Sequence, residues 1–159
     1  MKELPKRKPN RLQGYDYSSA GFYFVTICVK NSYELFGEVV GGKVQLNEYG
    51  VIVDDAVNKI NEIYDCVRTD KYVVMPNHVH MIVVIDVAGS DGRQVAAPTL
   101  SSVVGNMKRE VSMRVGFSVW QKSFHDRIIR SKEEYWKIYN YIENNPATWE
   151  KDCFYNVGE

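Results

Sequence analysis

The sequence predicts an α+β fold, an antiparallel sheet with helices packed against it. Three observations carry that reading. Short runs rich in β-branched and aromatic residues recur, beginning with Phe22-Tyr23-Phe24-Val25-Thr26-Ile27-Cys28-Val29. Two of these runs are joined by Gly41-Gly42, which reads as a hairpin turn. Stretches with apolar residues at helical spacing stand between and after them. The resulting order is strand, hairpin, helix, two strands, helix, crossing, helix.

The totals bound what the chain can be. Its 159 residues suffice for one domain, 1–159, with a sizeable core. With 45% hydrophobic and 25% charged residues it has the composition of an ordinary globular protein. The formal net charge is zero, so bulk charge makes no case for a nucleic-acid partner. The charge is unevenly spread, however. Lys2, Lys6, Arg7, Lys8 and Arg11 make the start basic, and Lys108, Arg109, Arg114, Lys122, Arg127 and Arg130 form a second basic stretch. Residues 48–70 and the C-terminal tail are acidic. Cys28, Cys66 and Cys153 are widely spaced and include no C-x-x-C pair, which suggests neither a disulfide framework nor a zinc knuckle. No apolar run approaches membrane-spanning length and no signal-peptide core follows the basic start, so a cytoplasmic protein with no membrane partner is expected.

Taken in order, residues 1–14 read as a basic, extended arm and 14–21 as a loop. The first strand follows at 22–29. Leu35–Val40 and Lys43–Leu46 form the hairpin. Asn47 or Glu48 opens a helix, running through Val51, Ile52, Asp55, Ala56, Ile60 and Ile63 at helical spacing. Residues 68–75 and 78–86 are two strands broken by Pro76-Asn77, and 88–98 is a loop. Thr99 caps a helix through Val103, Val104, Met107 and Val111 that ends near Gly116. Residues 117–129 form a short strand or an extended crossing. Ser131-Lys132-Glu133-Glu134 is a capping box for the last helix, whose stripe is Tyr135, Ile138, Tyr139 and Ile142. Pro146 pushes Asn145 out of the helix and ends it, and 147–159 reads as a loose tail.

Two features carry chemistry. His78-Val79-His80 opens the most apolar run of the chain, and residues i and i+2 of a strand point to one face. The two imidazoles can therefore hold one metal ion, although a buried strand with incidental histidines reads the same residues. On the last helix, Lys137, Tyr141 and Asn145 are spaced by four and line up one above another. Tyr141 offers a phenolic oxygen and Asn145 an amide oxygen. Two histidine nitrogens and one amide oxygen leave open positions on a divalent ion. Magnesium or manganese suits a phosphodiester substrate, and zinc remains open on ligand type alone. A histidine-triad hydrolase is excluded because Ile82 stands where its third histidine belongs.

The stretch Met75-Pro76-Asn77-His78-Val79-His80 with its apolar run resembles the HUH motif of single-tyrosine, insertion-sequence-type transposases. Other blocks resemble the branch of REP-associated tyrosine transposases, linked to repetitive extragenic palindromes. They are Gly14-Tyr15-Asp16-Tyr17, Tyr23–Ile27, Leu35-Phe36-Gly37, Leu46-Asn47, Trp120-Gln121, Phe124–Arg130 and Tyr141-Ile142-Glu143-Asn144-Asn145-Pro146. Together they span about residues 11 to 150. The His-x-His is common by itself; its combination with the Tyr-Ile-x-x-Asn-Pro helix end is specific.

That resemblance implies a ferredoxin-like core with the HUH strand central and the catalytic tyrosine on a C-terminal helix. It implies His78 and His80 as ligands of Mg2+ or Mn2+, Asn145 as the third ligand where many insertion-sequence members use Gln, and Tyr141 as nucleophile. The expected reaction is cleavage and rejoining of single-stranded or hairpin DNA through a 5′-phosphotyrosine, in transposition of palindromic repeat elements. The alternative is a domesticated, non-catalytic regulator that binds DNA hairpins. Lys108, Arg109, Arg127 and Arg130 are candidate phosphate contacts, Tyr15, Tyr17 and Trp120 candidate stacking residues for unpaired bases, and His125 a further candidate DNA contact. Both a monomer and a homodimer are open.

Overall fold

The computed structural model describes residues 21–86 and 98–155. The basic arm, Tyr15, Tyr17, most of the 88–98 loop and residues 156–159 lie outside the described residues.

Four strands form the main sheet: β1 (Gly21–Cys28), β4 (Val67–Met75), β5 (His78–Ile85) and β6 (His125–Ile128). β2 (Gly37–Val40) and β3 (Lys43–Leu46) form a separate hairpin. The helices are α1 (Glu48–Ile63), α2 (Leu100–Val115) and α3 (Lys132–Asn144). The main sheet runs β4-β5-β1-β6, and every neighbouring pair is antiparallel. Leaving the hairpin aside, the chain is β-α-β-β-α-β with a ferredoxin-like strand order, followed by α3. β5 is interior, as the resemblance implies.

Local chemistry accounts for most of the element ends. Gly41 and Gly42 have φ of 60° and 75°, the left-handed pair that a two-residue hairpin turn requires. The Asn47 side chain accepts from the amides of Tyr49 and Gly50 to start α1, and Thr99 Oγ1 accepts from Ser102 to start α2. Gly116, at φ 97°, closes α2 in a left-handed conformation. Ser131 Oγ accepts from the Glu134 amide at 3.1 Å, one half of the expected capping box. The Glu134 carboxylate turns instead to Arg127, 3.3 Å away.

The strand period then sorts the core into two layers. Val79, Met81, Val83 and Ile85 face one way and pack with α1 and α2. Ile82 and Val84 face the other way and pack on Ile138 and Ile142 of α3. Every residue of β5 is buried because helices cover both faces.

Two expectations are corrected. The buried stripe of α1 is Val53, Ala56, Val57 and Ile60, whereas Val51 and Ile63 are exposed. Val51-Ile52-Val53 wraps apolar surface around the helix, so periodicity leaves the stripe's starting point open and packing on the sheet decides it. The tail is not loose through the described residues. Pro146–Lys151 forms a 3-10 helix, and Trp149 is buried. Residues 117–129 resolve into an isolated bridge, Val29 with Trp120, and the short strand β6.

Candidate active site

The site lies on the α3 side of the sheet, at the start of β5. Cys28, Thr26 and Phe24 of β1 pair in register with His78, His80 and Ile82, so these side chains share that face. His78 and His80 are both almost fully buried. Their Nε2 atoms lie 3.1 Å apart.

Partners at the opposite ring nitrogens orient both imidazoles. Asn77 Nδ2 donates to the Phe154 carbonyl at 2.7 Å and the Ser32 carbonyl at 3.3 Å. Its Oδ1 is then the atom 2.7 Å from His78 Nδ1, so that nitrogen donates and His78 Nε2 carries a lone pair. Thr26 Oγ1 sits 2.8 Å from His80 Nδ1 and can play the same part. Burial pushes both imidazoles down to about 3. For His80 the neighbouring His78 lowers it further and Asp152 pulls the other way; for His78 the Asn145 side chain opposes the shift. Both rings are therefore neutral donors at pH 7.

Tyr141 projects from α3 over this pair. Its ring packs edge-on against Phe24, with centroids 6.2 Å apart, and its Oη is 3.5 Å from His80 Nε2. It is 42% exposed, which leaves the phenol reachable by a substrate. Burial, then the nearby Asp152 and Cys153, raises the phenol to about 12, against a smaller opposing effect of Asn145. Lys137, one turn earlier, is exposed and lines the same cleft.

Asn145 follows the last residue of α3 and is buried, but its backbone stays helical at φ −56° and ψ −45° and runs on into the 3-10 turn, so Pro146 does not push it out of the α region as expected. Its Nδ2 donates to Asp152 Oδ2 at 2.6 Å, and its buried Oδ1 has no hydrogen-bond partner among the described residues. A buried, unpartnered carbonyl oxygen is costly unless something positive meets it. Two donors at about 2.1 Å from one ion and at right angles lie about 3.0 Å apart, close to the His78–His80 spacing. The donor set thus fits a divalent cation.

Sequence reading missed Asp152. Ligand atoms of His78, His80 and Asp152 all lie within 4.8 Å of one another. Trp149, Phe154 and Tyr155, three large aromatics within seven residues of the tail, were the local sign that it packs back.

The expected DNA contacts separate. His125 and Arg127 on β6 stand opposite Thr26 and Phe24, so they project on the histidine face at the sheet edge. Arg127 and Arg130 line a cleft of about 760 Å3 with Phe24, Ser131, Lys137 and Tyr141. Lys108 and Arg109 belong to α2, in the layer on the other face. Lys108 donates to the Gln121 carbonyl at 2.8 Å, which occupies it in bracing the chain. Trp120 is a correction. Its ring is 7% exposed, packs on Phe36 and donates from Nε1 to the Lys108 carbonyl, so it is a core residue with no face for a base.

Comparison with known proteins bears on the fold and on one sequence relative. No family model matches the chain. An uncharacterized protein of Haemophilus influenzae Rd is 36% identical over 167 residues, spanning 94% of this chain and 93% of that one. A structure of a REP-associated tyrosine transposase bound to a REP hairpin superposes with a TM-score of 0.61 at 18% identity, over 91% of this chain and 90% of that chain. A candidate transposase from Deinococcus radiodurans R1 superposes with a TM-score of 0.50 at 18% identity, over 84% and 95%. The chain belongs to one family with the Haemophilus influenzae protein, and its fold is that of the REP-associated tyrosine transposases, the HUH branch that its His-x-His strand and Tyr-Ile-x-x-Asn-Pro helix end resemble.

Proposed function

We propose that this protein is a metal-dependent DNA strand transferase that cleaves and rejoins single-stranded or hairpin DNA through a 5′-phosphotyrosine on Tyr141. One observation carries the reading: the Tyr141 oxygen lies beside the two facing Nε2 atoms of His78 and His80, and the Asn145 side chain, whose oxygen is unpartnered, is near enough to act on both His78 and Tyr141. The solved relative that carries a REP hairpin supports the substrate class.

His78, His80 and Asn145 hold Mg2+ or Mn2+, which when bound supplies positive charge to polarise the phosphate and ease loss of the phenol proton. Phe24 and His80 hold the Tyr141 ring so that its oxygen faces the scissile phosphate. The phenolic oxygen attacks phosphorus, the P–O3′ bond breaks, and the departing 3′-oxygen takes up a proton. The phosphotyrosine conserves the bond energy. A second 3′-hydroxyl can therefore reverse the attack and join strands without a nucleotide cofactor. Arg127, Arg130 and Lys137 line the cleft beside Tyr141 and suit phosphate contacts that position the strand.

The test is a denaturing gel of the protein incubated with end-labelled hairpin DNA and Mg2+ or Mn2+. A covalent adduct is expected with the wild-type chain and none with Tyr141→Phe. An adduct that persists in Tyr141→Phe sinks the nucleophile, and no adduct across a range of hairpins favours the non-catalytic hairpin binder.

A further inference from the structure

The tail returns to the site for a reason that the three-ligand reading leaves unexplained. Trp149 is buried, with its ring centroid 5.9 Å from that of His78. Just beyond it, Asp152 turns its carboxylate toward the histidines. Both oxygens are held. Oδ1 accepts the Phe154 amide at 2.9 Å, and Oδ2 accepts Asn145 Nδ2 at 2.6 Å. The Phe154 carbonyl in turn accepts from Asn77, the residue that orients His78. Among the described residues Asp152 has no lysine or arginine within ion-pair distance. A part-buried carboxylate without a cationic partner therefore stands within 4.8 Å of two imidazole nitrogens that face each other at 3.1 Å. Carboxylates that bind metal are themselves commonly tied down by hydrogen bonds from neighbouring groups.

We propose that Asp152 is an anionic metal ligand, joining His78, His80 and Asn145; this rests on the metal reading of the site. Two neutral imidazoles, a neutral amide and one carboxylate leave a divalent ion with one net positive charge, enough to attract a phosphodiester. Asp152 also decides which way Asn145 points. By accepting from Nδ2 it leaves Oδ1 as the free atom.

The test titrates the full chain with Mn2+ alone and follows loss of the free-ion electron paramagnetic signal. Asp152→Asn keeps an oxygen that can accept from Asn145 but removes the charge. It is expected to weaken Mn2+ binding at least tenfold. Glu150→Gln removes the same charge from the exposed side of the tail and is expected to bind like wild type. Asn145→Ala separates ligation from positioning. If Asp152 ligates, adding Asp152→Asn to Asn145→Ala causes a further loss. If the double variant binds no more weakly than Asn145→Ala, Asp152 acts only through Asn145 and the proposal is overturned. Wild-type affinity in Asp152→Asn, alongside loss of binding in His80→Ala, also overturns it while leaving the metal reading intact. A wild-type chain that binds no better than a His78→Ala/His80→Ala variant removes the metal reading and this inference with it. Infrared difference spectra of the wild-type chain guard against an unfolded variant. One equivalent of Mn2+ is expected to shift a carboxylate band, because the other three ligands carry no carboxylate, and the absence of that band overturns the assignment.

Discussion

His78 and His80 are kept neutral mainly by burial. Neutral rings are what a metal needs, since a protonated imidazole has no lone pair to give. Burial also has a consequence for the metal-free protein. The folded rings titrate near 3, below the ordinary 6.5, so between those values the unfolded chain binds protons that the folded chain refuses. Their contribution to stability is full above about pH 6.5 and falls away as the pH drops toward 3. With a chelator present, the denaturant midpoint is expected to fall steadily from pH 7 to pH 4.5. A His78→Gln/His80→Gln variant should show a shallower slope, and equal slopes would mean that the two rings are not the cause. At this scale the sequence was informative about the histidines and Tyr141 but silent about Asp152. Nothing local marks one aspartate in an acidic tail as different from its neighbours.

Among the elements, α3 has the task of holding Tyr141 and Asn145 against β5. Its seat is Ile138 and Ile142 on Ile82 and Val84. Ile142 is fully buried, so Ile142→Ala is expected to cost about 2–5 kcal/mol by stripping away apolar packing and leaving a cavity. Ser131→Ala removes the cap and is expected to cost about 1 kcal/mol. Chemical denaturation measures both, and a loss at Ile142 no larger than that at Ser131 would contradict the seating of α3 on the sheet. The helix was legible because capping and a 3.6-residue period are local properties. The 3-10 turn after it was not, since six residues show no period and a buried Trp149 is evident only once the sheet and α3 are in place.

Across the whole molecule, a net charge of zero conceals an arrangement. Arg127 is paired with Glu134, which leaves Arg130 and Lys137 as the exposed cations lining the Tyr141 cleft for which no ion pair is present among the described residues. Arg130→Ala/Lys137→Ala is expected to weaken binding of single-stranded DNA and to flatten its salt dependence, by about 0.7 in the log–log slope for each phosphate that is no longer neutralised. Fluorescence anisotropy across a salt series checks this, with Mn2+ affinity as the control. An unchanged slope would place the strand elsewhere. Lys108, equally prominent in the sequence, is held by backbone carbonyls in the α2 layer.

What the sequence determined by itself is whatever follows from backbone period. Alternation places His78 and His80 on one face of a strand, and a four-residue step places Asn145 one turn beyond Tyr141. Turn and capping residues set most of the element ends for the same local reason. Only the tertiary structure decided which face of β5 the last helix covers, that Trp120 belongs to the core, and that Asp152 comes back to the histidines. Each of those depends on segments far apart in the chain competing to bury apolar surface. The outcome of that competition belongs to the assembled sheet and helices and is not encoded in any short stretch.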